Sequence, residues 1–213
     1  MDAITDAALA VAGSPWVYLL VFVLTVLDAF LVVVPSETVV VALGALAQQE
    51  GQPGLLPLAA VAAVAAVLGD SLTFGVGRLV RGRPGAGRTS PRWMLRPRVI
   101  RAVRWATTAL DRRAALVLLT ARFVPFGRIA VNLTAGATGF RYPRFLALTS
   151  IAGVCWALYN VGVGAFFGAV FAGQPVLAVA VSIVVAIGLG VAVDQGSAAV
   201  TRRRARREAT VPE

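Results

Sequence analysis

The chain has 213 residues, is 58% hydrophobic and 14% charged, and carries a net charge of +10 with no histidine and no lysine. A mean hydropathy of +0.81, spread over several apolar runs of roughly 20 residues, describes an integral membrane protein and not a soluble domain. The composition excludes histidine-based catalysis, ordinary zinc sites and any lysine-containing P-loop, and the lone Cys155 excludes a disulfide framework.

The charge is unevenly placed. Residues 1–77 hold six acids and no basic residue, whereas Arg78–Arg113 holds eleven arginines against Asp111 alone. Arginines that flank membrane segments follow the positive-inside rule, so a cytoplasmic loop explains them with less strain than nucleic-acid binding.

In chain order, residues 1–14 read as a short, weakly amphipathic interfacial segment. Trp16–Val34 is the first helix; no Lys or Arg precedes it, so it reads as an anchor and not a signal peptide. It runs through Pro35-Ser36-Glu37 into a second apolar piece, Thr38–Ala47. As one helix Trp16–Ala47 would extend ~48 Å, too long for one crossing and too short for two. Pro35 removes a backbone donor and breaks the helix, so residues 28–47 are predicted to form a half-membrane hairpin.

Gln48–Gly54 is a polar loop, and Leu55–Gly77 is a span with Asp70 near its end. Residues 78–113 form the basic connection. The next segment, residues 114–139, is apolar but holds Arg122 and Arg128, with Pro125 and Gly127 between them. Each arginine at the bilayer centre costs ~2.5–3.5 kcal/mol even on lenient insertion scales. The segment therefore reads as a broken, re-entrant element lining a polar cavity. Phe145–Gly173 and Pro175–Val193 are ordinary spans, and residues 195–213 an arginine-rich, disordered cytoplasmic tail.

Charge counting supports the re-entrant reading. The basic loop and the tail both belong in the cytoplasm. If residues 114–139 crossed, three crossings would leave the tail outside; if they dip in and return, two crossings bring it home. The fold class expected is all-α, with about four transmembrane helices and two opposed re-entrant hairpins, one from each face, as in transporters with broken helices.

Four groups stand out: Asp28 and Glu37 on the outer hairpin, Arg122 and Arg128 on the inner one. Arginine grips phosphate or carboxylate with a planar fork of donors. Carboxylates in a low-dielectric cavity exchange protons near neutral pH. Together they suit a site that binds an anionic head group and couples its release to protonation. The alternative is that the arginines only pair with the acids, or reach the interface, to hold the hairpins. Asp70 either faces the cavity or sits at the inner boundary, satisfied by water or Arg78. Asn132 and Asn160 read as structural donors, and Trp156 and Tyr159 as packing residues.

At these residues the chain resembles the DedA family, the bacterial branch of the VTT (SNARE-associated Golgi protein) superfamily, over residues 16–193. The resemblance rests on Asp28 followed by Pro35-Ser36-Glu37 and Gly44-Ala45-Leu46; on Gly69-Asp70 with Gly77-Arg78; and most specifically on Ala121-Arg122-Phe123-Val124-Pro125-Phe126-Gly127-Arg128, Ala135-Gly136, Phe145 and Gly153–Trp156. It implies two facing re-entrant hairpins and essential roles for Asp28, Glu37, Arg122 and Arg128. Asp28 departs from the glutamate of many relatives. The family implies translocation of polyprenyl phosphate across the bacterial inner membrane, dependent on the proton motive force; eukaryotic relatives scramble phospholipids.

The expectation is thus a multi-pass protein of the cytoplasmic membrane that is a lipid-phosphate translocase and not an enzyme. It needs no cofactor or metal. Its partners are polyprenyl phosphate or another anionic lipid, protons and the bilayer, with a homo-oligomer left open and nucleic acid excluded. Arg122 and Arg128 would hold the phosphate, Asp28, Glu37 and Asp70 would titrate, and Pro35, Pro125 and Gly127 would break the hairpins. A proton-coupled small-ion or drug antiporter, a phospholipid scramblase and a membrane scaffold are the competing readings.

Overall fold

Leucine, valine and alanine dominate each apolar run, and the runs fold as helices; no strand occurs among the described residues. The computed structural model describes residues 13–31, 36–80, 108, 114, 116–119, 121, 127–174, 176–185 and 188. Segments 1–12, 81–107 and 195–213, together with Pro35, Arg122 and Pro125, lie outside them, so the expectations placed there stand outside this description.

The helices are α1 (Trp16–Asp28), α2 (Ser36–Glu50), α3 (Leu55–Val80), α4 (Gly127–Thr138), α5 (Tyr142–Val170) and α6 (Val176–Val185). Residues 114, 116–119 and 121 are also helical. Only α3 and α5, among the described residues, are long and apolar enough to cross a bilayer; at 26 and 29 residues they extend ~39 and ~44 Å. The sequence predicts a full span over Trp16–Val34, but α1 has 13 residues and ends at Asp28, about 20 Å of helix.

Contacts along the helices fix their directions. Tyr18 Oη accepts from Gly54 N–H, and Ala29 at the other end of α1 meets Gly69 and Thr73, so α1 runs parallel to α3. Asp70 meets Thr149 and Gly153 meets Val67 and Ala63, so α5 runs antiparallel to α3. α2 runs parallel to α5: Val41 lies against Gly164 and Ala45 against Gly168. α4 runs parallel to α3, placing Leu133 on Gly77. The short helices α2 and α4 therefore point in opposite directions.

Each short helix is followed by a glycine at positive φ, Gly51 (72°) after α2 and Gly139 (83°) after α4, and then by a long helix. Positive φ suits glycine because no Cβ meets the backbone. The packing is exchanged between the two short–long units: α2 packs most on α5, and α4 on α3. Both crossings are backbone-close. A Cβ on Gly164 would strike the Val41 carbonyl, and one on Gly136 the Phe74 carbonyl. Small residues give membrane helices this approach.

Two cores result. Val17, Val21, Leu58, Ala62, Trp156 and Val161 pack at one end. Phe74, Leu118, Val131, Ala135 and Phe145 pack at the end bearing Arg78, Arg141 and Arg144. The outside is the greasier surface: Leu56, Val64, Leu68, Leu72, Val76 and Leu79 of α3 are all exposed, as are Ile151, Val154, Leu158 and Phe166 of α5. Apolar stripes at helical spacing on both long helices are a surface for lipid.

Candidate functional site

Arg128 stands in the first turn of α4, at the end of the apolar run that made it conspicuous in the sequence. Its side chain is 12% exposed. Nη1 donates to Asp28 Oδ2 at 3.1 Å, and Nε lies 3.2 Å from Asp70 Oδ1. One guanidinium thus bridges carboxylates from two different helices, at the last residue of α1 and midway along α3. Nη2 is buried and makes no hydrogen bond among the described residues, leaving two N–H donors uncommitted.

Asp70 is the more deeply held acid, 3% exposed. Besides Arg128, its Oδ1 accepts from Asn132 Nδ2 at 2.9 Å, and its Oδ2 accepts from Thr149 Oγ1 at 2.6 Å. Arg128 and Asn132 lie one turn apart on α4 and so reach the same oxygen. A buried carboxylate costs several kcal/mol unless paired and hydrogen-bonded, and here three side chains from two helices supply that. Arg78, the partner that the sequence offered for Asp70, is exposed at the helix end and takes no part.

Four helices, α1, α3, α4 and α5, therefore converge on one cluster of Asp28, Asp70, Arg128, Asn132 and Thr149. Glu37 is not among them. It is exposed on the first turn of α2 and accepts from Trp156 Nε1 at 3.3 Å. Trp156 is two turns beyond Thr149 on α5, ~10 Å along the helix. Gly127 opens α4; Arg122, Pro35 and Pro125 are outside the described residues. Asn160 donates to the Trp156 carbonyl one turn back and is structural.

Sequence reasoning missed Thr149 and the use of the Trp156 indole. A signal for Thr149 exists: a mid-span acid requires donors, and Thr149 is one of the few hydroxyls in the apolar run of α5. The cluster sets one guanidinium between two carboxylates at depth and leaves guanidinium N–H groups for an oxyanion.

Comparison with known proteins places this geometry. A family profile described as the VTT domain matches residues 34–166. That range takes in α2 to α5 with Asp70, Arg128, Asn132 and Thr149. An "Alkaline phosphatase-like protein" of Lactococcus lactis subsp. cremoris is 28% identical over 140 residues, 63% of either chain. An uncharacterized membrane protein of Mycobacterium tuberculosis is 28% identical over 160 residues, 75% of this chain and 67% of its own. One of Mycobacterium bovis is 30% identical over 145 residues, 66% and 64% respectively. The chain thus spans just under two thirds of the Lactococcus relative. No solved structure matches. A profile that covers more than half of the chain, on a helical scaffold whose long helices face outward with apolar stripes, makes it a membrane protein of the VTT-domain (DedA/SNARE-associated) family.

Proposed function

We propose that the protein is a lipid-phosphate translocase of the cytoplasmic membrane that returns undecaprenyl or decaprenyl phosphate to the cytoplasmic leaflet, driven by protons. The observation that carries this is Arg128: a buried guanidinium shared by Asp28 and Asp70, with Nη2 uncommitted among the described residues. Protonation of either carboxylate weakens its hold on Arg128 and turns the fork toward phosphate oxygens. Loss of that proton returns Arg128 to its acids and releases the lipid. Arg122 is the second phosphate ligand and Glu37 a further proton carrier at the other end of the path. No covalent bond is made or broken, so the protein is not an enzyme.

In this reading α3 and α5 cross the membrane, while α1 with α2, and the helical residues 114, 116–119 and 121 with α4, belong to hairpins entering from opposite faces. Helices of ~18–22 Å cannot cross ~30 Å of hydrocarbon, and opposed half-helices are the plan of alternating-access carriers. The end with Arg78 and Arg141 faces the cytoplasm by its charge.

The test is leaflet exchange of labelled polyprenyl phosphate in reconstituted vesicles under a pH gradient. Exchange that depends on the gradient and is lost in Arg128→Gln supports the reading. A proton-coupled ion or drug antiporter is favoured by the same ion pairs, since two carboxylates face Arg128; proton-coupled flux of an ion or drug without lipid exchange identifies it. The name of the Lactococcus lactis relatives suggests a phosphatase, which predicts inorganic phosphate release from phosphate esters; we expect none.

A further inference from the structure

Beyond the buried cluster, α3, α4 and α5 frame a second feature at the basic end of the molecule. A cavity of about 740 Å³ opens there between the end of α3, the end of α4 and the start of α5. Among the described residues, its lining carries three guanidiniums, those of Arg78, Arg141 and Arg144, and no carboxylate. All three are exposed. Arg144 lies over the Phe140 ring, its guanidinium carbon 5.6 Å from the centroid, which restrains it without neutralising it.

The cavity has an aromatic floor. Phe74 and Tyr142 line it, with ring centroids 5.5 Å apart, and Phe74 packs at 4.5 Å on the fully buried Phe145. Below that floor is the ion pair. Asp70, Phe74 and Arg78 follow one another at four-residue steps on α3, as do Arg128, Asn132 and Gly136 on α4, and Thr149, Phe145 and Arg141 on α5. Each helix therefore runs two turns, ~12 Å, from the buried cluster to the cavity.

We propose that this cavity is a docking site for the phosphate-bearing headgroup of a lipid, distinct from the Arg128 cluster and reached from the leaflet at the basic end. Three arginines, with no counter-acid among the described lining residues, match a mono- or diphosphate in charge and in fork geometry. The volume is that of a small-molecule site. The choice of a lipid over free phosphate rests on the aromatic lining, which suits the first carbons of a chain, and on the position at the end of two membrane-length helices. The assignment rests on the lipid-phosphate reading for its place in a transport path, though the binding itself does not depend on transport.

The test is binding of radiolabelled phosphatidic acid to the full chain in neutral detergent, with phosphatidylcholine as reference and inorganic phosphate as competitor. The triple variant Arg78→Gln, Arg141→Gln, Arg144→Gln is expected to weaken binding at least tenfold. A control with equal charge loss in the tail, Arg202→Gln, Arg203→Gln, Arg204→Gln, is expected to stay within twofold of wild type. Phe140→Leu, which keeps every charge, is expected to weaken binding two- to fivefold. Equal loss in the cavity and tail variants means diffuse charge attraction and overturns the site. Inorganic phosphate binding as tightly as the lipid overturns the lipid assignment. Cavity-sensitive binding by a protein that fails leaflet exchange upholds the site and sinks the translocase; exchange with wild-type binding in the cavity variant does the reverse.

Discussion

Arg128 Nη1 lies 3.1 Å from Asp28 Oδ2, an ion pair that closes 100 residues of sequence and ties the end of α1 to the first turn of α4. With Asp70 on its Nε, the same guanidinium holds three helices at one depth.

Removing one member should cost more than removing two. Arg128→Gln alone takes the guanidinium from two carboxylates and is expected to destabilise by about 3–5 kcal/mol, whereas Asp70→Asn leaves Arg128 paired with Asp28 and is expected to cost less. The double variant should recover a large part of that loss. Thermal unfolding of the four proteins in detergent completes the cycle; strict additivity would mean that the pair is not coupled. Arg128→Lys keeps charge but has one point of contact, so it should fold and transport poorly.

Thr149 donates to Asp70 Oδ2 over 2.6 Å. Thr149→Val keeps the shape and removes the donor, and should cost about 1–3 kcal/mol because the carboxylate oxygen is left without it. Thr149→Ser should be milder. Equal stability of the Val variant would show that Asp70 finds another donor.

The Glu37–Trp156 contact separates packing from charge. Trp156→Phe retains a ring in the core and removes the N–H, for an expected loss of about 0.5–1.5 kcal/mol plus the ring difference. Glu37→Gln should leave stability nearly unchanged, since Glu37 is exposed, yet reduce gradient-driven lipid exchange. Retained exchange would remove Glu37 from the proton path.

The backbone-close crossings are testable by single methyl groups. Gly164→Ala and Gly136→Ala each aim a Cβ at a carbonyl of the partner helix, and overpacking of this kind costs about 1–3 kcal/mol. Gly162→Ala, with open space around it, is the control and should be neutral or slightly stabilising.

Orientation follows from the same helix directions. In a Cys155→Ala background, Arg141→Cys should react with an impermeant thiol reagent only from the cytoplasmic side, and Ala172→Cys only from outside. Labelling of both from one face would overturn the crossing of α5.

The charged centre was half legible in the sequence. Arg128 stood out because hydropathy and insertion cost make any charge in an apolar run conspicuous. Asp70 did not, because its meaning lies in Asn132 and Thr149, 62 and 79 residues away, and no local pattern encodes that meeting. Glu37 looked like a neighbour of Asp28 by spacing. The register that carries it to Trp156 is set by Gly44 and Gly164, where α2 meets α5. The end of α1 at Asp28 was likewise hidden, since Ala29–Val34 is as apolar as the helix before it and only its contact with Gly69 and Thr73 marks the turn.

The exchange of partners between the short and long helices has a consequence for how the chain is made. α2 finds its main neighbour in α5, with Glu37 meeting Trp156 across 119 residues and Gln49 meeting Phe171 across 122. The ribosome delivers those partners many seconds later, at about 5–20 residues per second. Until then α2 lacks its seat, and an insertase or the nascent chain's own α1 must shelter it. Truncation before α5 should therefore yield a protein that is degraded, not a stable half, and the two halves co-expressed as separate chains should rescue one another.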